Sequence, residues 1–85
     1  MVVGIDIGST THYARAFDWR GIELGNVFKF SNSLEGFQSL LGWMQRIMKK
    51  TGKSEAMVGI EPTGHYWFDL GAYLENGGIL LVEMV

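Results

Sequence analysis

The chain has 85 residues, of which 47% are hydrophobic, 13% aromatic and 19% charged, and its formal net charge is −2. This length and composition predict one ordered domain with a small core and argue against a second independent domain. No cysteine is present and no apolar run reaches the roughly 18 residues of a membrane span, so we expect a cytoplasmic protein without disulfides, thiolate zinc or membrane contact.

Three short segments at the start of the chain predict an antiparallel meander. Residues 2–7 form a continuous apolar run that ends at a Gly-Ser-Thr turn, residues 12–18 alternate in polarity, and residues 22–30 return after a second turn. Parallel neighbours need a longer crossover than these connections provide. In this pattern His12 is an ordinary strand residue.

A capping-box spacing followed by apolar residues at intervals of three and four predicts an amphipathic helix. Asn32 and Glu35 form the box, the apolar stripe begins at Leu34, and Gly52 ends the helix. Trp43 lies off this stripe and Trp19 in a turn, so two expectations stay open for their rings: exposure on a surface that a missing part or a partner covers, or partial packing under a loop.

The second half of the chain predicts a strand, a helix and a strand. Residues 56–61 are an apolar run that ends in a carboxylate, and residues 79–84 form a similar run at the end of the chain. Between them, Thr63 is placed to cap a second helix over residues 64–76.

This order of elements predicts a mixed α/β sheet with crossover helices. Each helix makes a right-handed crossover, which lets strands 1, 4 and 5 run in parallel. The meander occupies one side of strand 1, so the crossovers build outward on the other side and give the spatial order 3-2-1-4-5. The direction of winding reverses between strands 1 and 4, and ligands of open sheets bind beyond the carboxyl ends of the strands at such a reversal. Asp6 lies near the end of strand 1 and Glu61 at the end of strand 4, so we expect the two carboxylates to lie close together.

Two neighbouring carboxylates repel, by ~1 kcal/mol in water and ~4 kcal/mol at a protein-like dielectric. A hard cation such as Mg²⁺ removes this cost, and it also supports phosphodiester chemistry. Asp6 and Glu61 are therefore candidate metal ligands and candidate catalytic residues. The alternative is that Asp6 caps a loop and that Glu61 is a solvated residue at a strand end.

Two segments resemble a known family. Gly4-Ile5-Asp6 and the string Glu-Pro-Thr-Gly-His-Tyr-Trp from Glu61 to Trp67 are similar to the amino-terminal DEDD domain of insertion sequence 110 transposases, which are related to the Piv invertases and to RuvC-like resolvases. The second string is the specific one, because Gly-Ile-Asp is common. The resemblance covers nearly the whole chain and implies an RNase H-like (RuvC-like) fold in truncated form, with residues 1–85 as the amino-terminal part of the catalytic domain.

The resemblance implies a DNA transposase that cleaves and transfers phosphodiester strands with Mg²⁺ or Mn²⁺. Asp6 and Glu61 then correspond to the first Asp and the Glu of the acidic tetrad, and the last two Asp residues lie downstream of residue 85. The family also implies DNA, at the element ends and the target, and a structured guide RNA as partners. On this interpretation the 85-residue piece is catalytically incomplete. Thr63, His65 and Tyr66 are further candidates for contact with nucleic acid or with metal-bound water.

Two alternative functions remain open from the sequence. The stretch after Asp6 departs from the family, which often has a small residue and a lysine there, and instead resembles the phosphate loop Asp-x-Gly-x-Thr of sugar kinases, Hsp70 and actin, with Gly8 and Thr10 as phosphate-binding residues. That interpretation does not account for the string from Glu61 to Trp67. The second alternative is a non-catalytic dimerisation module, because residues 79–82 form an apolar edge that favours a homo-oligomer.

Overall fold

The computed structural model describes residues 1–61 and 64–84. The predicted order of strands and helices is confirmed, and the predicted strand boundaries differ from the observed ones only by single residues. The elements are β1 (Val2–Asp6), β2 (Thr11–Phe17), β3 (Glu23–Ser31), α1 (Leu34–Thr51), β4 (Met57–Ile60), α2 (Phe68–Asn76) and β5 (Leu80–Glu83).

The strands form one sheet in the order β3-β2-β1-β4-β5, as predicted. β1 pairs antiparallel with β2, and β2 pairs antiparallel with β3. β4 pairs in parallel with both β1 and β5. Because β1, β4 and β5 run the same way, their carboxyl ends meet at one edge of the sheet, here called the carboxyl edge.

Both helices pack on one face of the sheet and leave the other face open. Along β1 the side chains of Val3 and Ile5 are buried, whereas Gly4 and Asp6 face the opposite side. The buried cluster joins alternate residues of four strands to apolar residues of the two helices: Val3, Ile5, Ala14, Ala16, Phe30, Val58, Ile60, Phe37, Leu40, Trp43, Met44, Leu70 and Leu74. No helix in the described part of the chain is both long and apolar enough to cross a membrane.

The N-cap of α1 is Ser33, and the predicted capping box on Asn32 is wrong. The Oγ of Ser33 accepts a hydrogen bond from the backbone N–H of Gly36 at 3.2 Å. Asn32 is still engaged with the β1–β2 connection, since its backbone N–H donates to the Thr10 carbonyl oxygen at 2.9 Å. Ser33, the next residue, is therefore the first residue that is placed to cap α1. The predicted end at Gly52 is confirmed, and Gly52 adopts the left-handed conformation with φ 70°.

Trp43 is buried, which excludes the exposed ring that was one of its two expected states. Only 9% of the residue is exposed, and its ring stacks on Phe28 with 5.2 Å between the centroids. α1 lies against β3, so the face that it buries is wider than the stripe predicted from spacing alone. Trp19 lies in the turn between β2 and β3 and is 59% exposed.

Helix α2 begins at Phe68, which corrects the predicted start at residue 64. Gly64 has φ +67°, a left-handed conformation that a right-handed helix excludes, and Trp67 occupies the N-cap position without a side-chain hydrogen bond. His65 and Tyr66 therefore lie in a turn and not in the first turn of a helix. The predicted cap Thr63 lies outside the described residues.

Asp18 organises the turn between β2 and β3. Its Oδ1 accepts hydrogen bonds from the backbone N–H groups of Ile22, at 3.0 Å, and Arg20, at 2.9 Å. The bond from Ile22 contributes most to holding the pKa of the Asp18 carboxyl below its ordinary value, against the opposing effect of burial. This turn joins the strands where Phe17 pairs with Glu23, and the register of β2 and β3 shifts farther along, between Ala14 and Ala16.

The lowered pKa of Asp18 predicts a pH-dependent contribution to stability. The folded-state pKa lies below the unfolded one, so the contribution is present above about pH 3.9 and is lost as the pH falls through the folded value. We expect Asp18→Asn to lower the melting temperature at pH 7 and the difference from wild type to shrink towards pH 3. Thermal unfolding followed by circular dichroism measures this; a difference that stays constant from pH 7 to pH 3 would contradict it.

Candidate metal centre at the carboxyl edge

The structure brings Asp6 and Glu61 together at the carboxyl edge. Ile5 pairs with Ile60 in the parallel register of β1 and β4. Asp6 is the last residue of β1 and Glu61 follows β4 directly, so the next pair along the register consists of the two acidic residues. Adjacent strands lie about 4.8 Å apart. Both residues are exposed, and both line the same groove of about 490 Å³.

The groove lies on the face of the sheet that the helices leave open. Gly4 forms part of its floor, and Gly59 lies opposite Gly4 in the register of β1 and β4. The side chain of Met84 covers Gly59 so closely that a Cβ atom there would lie 2.7 Å from the Met84 sulfur. A Cβ atom on Gly4 would meet no other atom within 4 Å, so the space over Gly4, beside Asp6, is open.

The local charge of the groove is dominated by the two carboxylates. Arg15 is the basic residue of its lining, and its Nε contacts the Glu23 carboxylate at 2.9 Å. That ion pair already compensates the charge of Arg15. Two exposed carboxylates, Asp6 and Glu61, then remain in the groove, and they favour binding of a cation.

The loop that follows Asp6, residues 7–10, is tightly folded and bonded to its neighbours. The backbone N–H of Gly8 donates to Nδ1 of His12 at 3.1 Å. A Cβ atom on Gly8 would overlap the carbonyl oxygen of Thr11, so the turn requires glycine at this position. On the other side, the Asn32 side chain donates to the Ser9 carbonyl oxygen at 3.4 Å.

His12 is a residue whose role the sequence reasoning missed. It was expected to be an ordinary strand residue, but it is fully buried and its imidazole contacts the loop after Asp6. The available signal was the alternation along β2, in which position 12 shares the buried face with Ala14 and Ala16. A polar ring on a buried face needs a partner within the protein.

His65 and Tyr66 are exposed in the turn before α2, with 4.4 Å between their ring centroids. Neither residue lines the groove that contains Asp6 and Glu61. Both follow Glu61 closely along the chain.

The donor set fits a hard divalent cation. Carboxylate oxygens are the ligands that Mg²⁺ and Mn²⁺ prefer, and Mg²⁺ keeps several water ligands. Within residues 1–61 and 64–84, no group of three or more His, Cys, Asp and Glu side chains is placed to hold a metal ion. The described residues therefore contribute two carboxylates to the groove, those of Asp6 and Glu61.

A mixed sheet in the order 3-2-1-4-5 with both crossover helices on one face, and with acidic residues at the ends of its two adjacent parallel strands, is the architecture of an RNase H-like domain. The family model of the DEDD domain of insertion sequence 110 elements, described as a transposase, matches residues 3–85. The chain therefore belongs to this transposase family, which confirms the resemblance seen in the sequence. Membership implies DNA as a partner and suggests a divalent metal requirement. A search of curated proteins finds no match.

Proposed function

We propose that Asp6 and Glu61 bind a divalent metal ion, Mg²⁺ or Mn²⁺, in a transposase that cleaves and transfers DNA strands. The observation that carries this proposal is the register of β1 and β4. Ile5 pairs with Ile60, Asp6 and Glu61 are the next residues of the two chain segments, and both line one groove. A pair of such metal ions held at this site would supply activation of the attacking oxygen and stabilisation of the leaving oxygen of a phosphodiester.

The residues of this chain would bind and orient the ion and admit the DNA backbone. Asp6 and Glu61 supply oxygen ligands from two strands whose positions are fixed by the sheet. Gly4 leaves room beside them on the open face. Without a cation the carboxylates would repel a phosphate, so we expect close approach of DNA to this edge to depend on the metal.

The remaining parts of the proposal rest on the family. Residues 1–85 would form the amino-terminal part of the catalytic domain, and the last two acidic ligands would follow residue 85. His65, Tyr66 and Thr63 would contact nucleic acid or metal-bound water near Glu61. A structured RNA and a second copy of the protein would complete the assembly. Self-association is supported by the exposed edge strand β5, where Leu80 is 61% exposed.

A metal titration followed by NMR tests the proposed site. We expect Mg²⁺ and Mn²⁺ at millimolar concentration to shift or broaden the NMR signals of residues 5–8 and 60–65. Asp6→Asn and Glu61→Gln should each abolish the response. Glu55→Gln is the matched control, because Glu55 is an exposed carboxylate that precedes β4, whereas Glu61 follows β4 at its other end. A wild-type chain that does not respond, or a response that survives both substitutions, would contradict the proposal.

The kinase-like alternative is disfavoured by the geometry of the loop after Asp6. A phosphate loop offers its backbone N–H groups to the ligand. Here the N–H of Gly8 is already donated to His12. We therefore expect ATP to cause no shifts at residues 8–11 in the same NMR experiment.

A further inference from the structure

The loop of residues 7–10 is held by the side chains of two residues, one in β2 and one that follows β3. His12, at the start of β2, accepts the N–H of Gly8 through Nδ1. Asn32, just after β3, donates from its side chain to the Ser9 carbonyl and from its backbone to the Thr10 carbonyl. The three consecutive loop residues 8–10 are thus hydrogen-bonded to one residue at the start of β2 and one residue just after β3.

The bond from Gly8 defines the chemical state of His12. An imidazole nitrogen that accepts an N–H must carry a lone pair, so Nδ1 is unprotonated and the proton of the neutral ring is on Nε2. The ring is fully buried and packs against Phe30 with 5.3 Å between the centroids. Burial and packing therefore hold the accepting atom in a fixed direction.

The choice of histidine and asparagine costs stability, which indicates a role beyond filling the core. Among the described residues, Nε2 of His12 and Oδ1 of Asn32 are buried without hydrogen-bond partners. An unpaired buried polar atom is unfavourable. Leucine at position 12 would fill the same space without that cost, but it could not accept the N–H of Gly8.

The loop is directly connected to the metal-binding carboxylate. Asp6 pairs with Tyr13 in the last rung of the β1–β2 ladder, and beyond that rung the chain is positioned by the bonds to His12 and Asn32. Displacement of Gly8 would therefore turn the backbone at residues 6–7 and move the Asp6 carboxylate relative to Glu61.

We propose that His12 and Asn32 are positioning residues for the metal centre, which hold residues 8–10 so that the Asp6 carboxylate stays directed towards Glu61. This inference rests on the proposed function for its consequence in metal binding. The hydrogen bonds that it invokes are independent of that function.

The test compares His12→Phe with His12→Asn in the 85-residue chain. Phenylalanine keeps a planar ring beside Phe30 and removes the acceptor, whereas asparagine keeps an acceptor oxygen near the position of Nδ1. Met44→Leu is the matched control, since Met44 is a buried core residue of α1 and is neither of the two residues that hold the loop. The measurements are hydrogen exchange of the Gly8 amide and Mn²⁺ affinity from paramagnetic broadening of the Asp6 signals.

We expect His12→Phe to speed exchange of the Gly8 amide about tenfold or more and to weaken Mn²⁺ binding about tenfold, the usual effect of removing a group that orients a metal ligand. His12→Asn should recover part of both losses, and Met44→Leu should leave the Mn²⁺ affinity unchanged. Asn32→Ala provides a second variant at a partly exposed position, should His12→Phe not fold, and should weaken Mn²⁺ binding several-fold.

Wild-type exchange of Gly8 in His12→Phe would overturn the inference, and so would faster exchange with unchanged Mn²⁺ affinity. A wild-type chain that binds no Mn²⁺ would instead overturn the proposed function. In that case the Gly8 exchange rate still decides whether His12 holds the loop.

Discussion

DNA strand cleavage by a transposase that contains this chain is expected to fall at least about 100-fold when Asp6 is replaced by Asn or Glu61 by Gln. Loss of an outer residue that merely orients a metal ligand costs about 10-fold to 100-fold, and loss of a ligand itself should cost more. The assay is cleavage of element ends in Mg²⁺, with Glu55→Gln as the control that should cleave at the wild-type rate.

The same two substitutions should leave the fold intact. Both side chains are exposed at the carboxyl edge, and each amide removes one of two neighbouring negative charges. We therefore expect melting temperatures equal to or slightly above that of the wild type in the absence of metal. Strand cleavage at the wild-type rate in either variant, with Mg²⁺ present, would contradict the assigned role.

Gly36→Ala is expected to destabilise the protein by about 1–3 kcal/mol, although alanine is the better helix former. Gly36 lies in the first turn of α1, where a Cβ atom would overlap the backbone carbonyl oxygen of Ser31. A backbone atom at the end of β3 cannot move aside as a flexible side chain can, so α1 would have to shift off the sheet.

Gly42→Ala is the matched control for Gly36→Ala. Gly42 lies in the same helix, but a Cβ atom there would meet only the end of the Arg46 side chain at 3.3 Å. The gain in helix propensity should therefore stabilise the protein by about 0.5–1 kcal/mol. Urea unfolding measures both changes. A Gly36→Ala variant as stable as the wild type would show that the contact between α1 and β3 is looser than described.

The topology was predictable because it depends on features that are local in the sequence. Continuous apolar runs bounded by turn residues mark the strands, and the short connections before residue 31 exclude parallel pairing. The handedness rule then fixes the order of the remaining strands. The proximity of Asp6 and Glu61 followed from that order, since both residues end apolar runs.

The details that failed depend on contacts between distant segments. Asn32 and Ser33 are both good capping residues, and the choice between them follows from the bond between Asn32 and Thr10 across the sheet. The start of α2 depends on the left-handed conformation of Gly64. The burial of Trp43 depends on its stacking on Phe28. None of these contacts leaves a periodic signal in the sequence.

The central claim is tested most directly by a crystal structure of the chain grown with Mn²⁺, with anomalous scattering used to locate the ion. We predict one anomalous peak in the groove, within about 2.0–2.3 Å of carboxylate oxygens from both Asp6 and Glu61. The peak should be absent from crystals of Asp6→Asn. No peak between the two carboxylates at saturating Mn²⁺, or a peak bound only to other residues, would contradict the assignment of this edge as the metal centre.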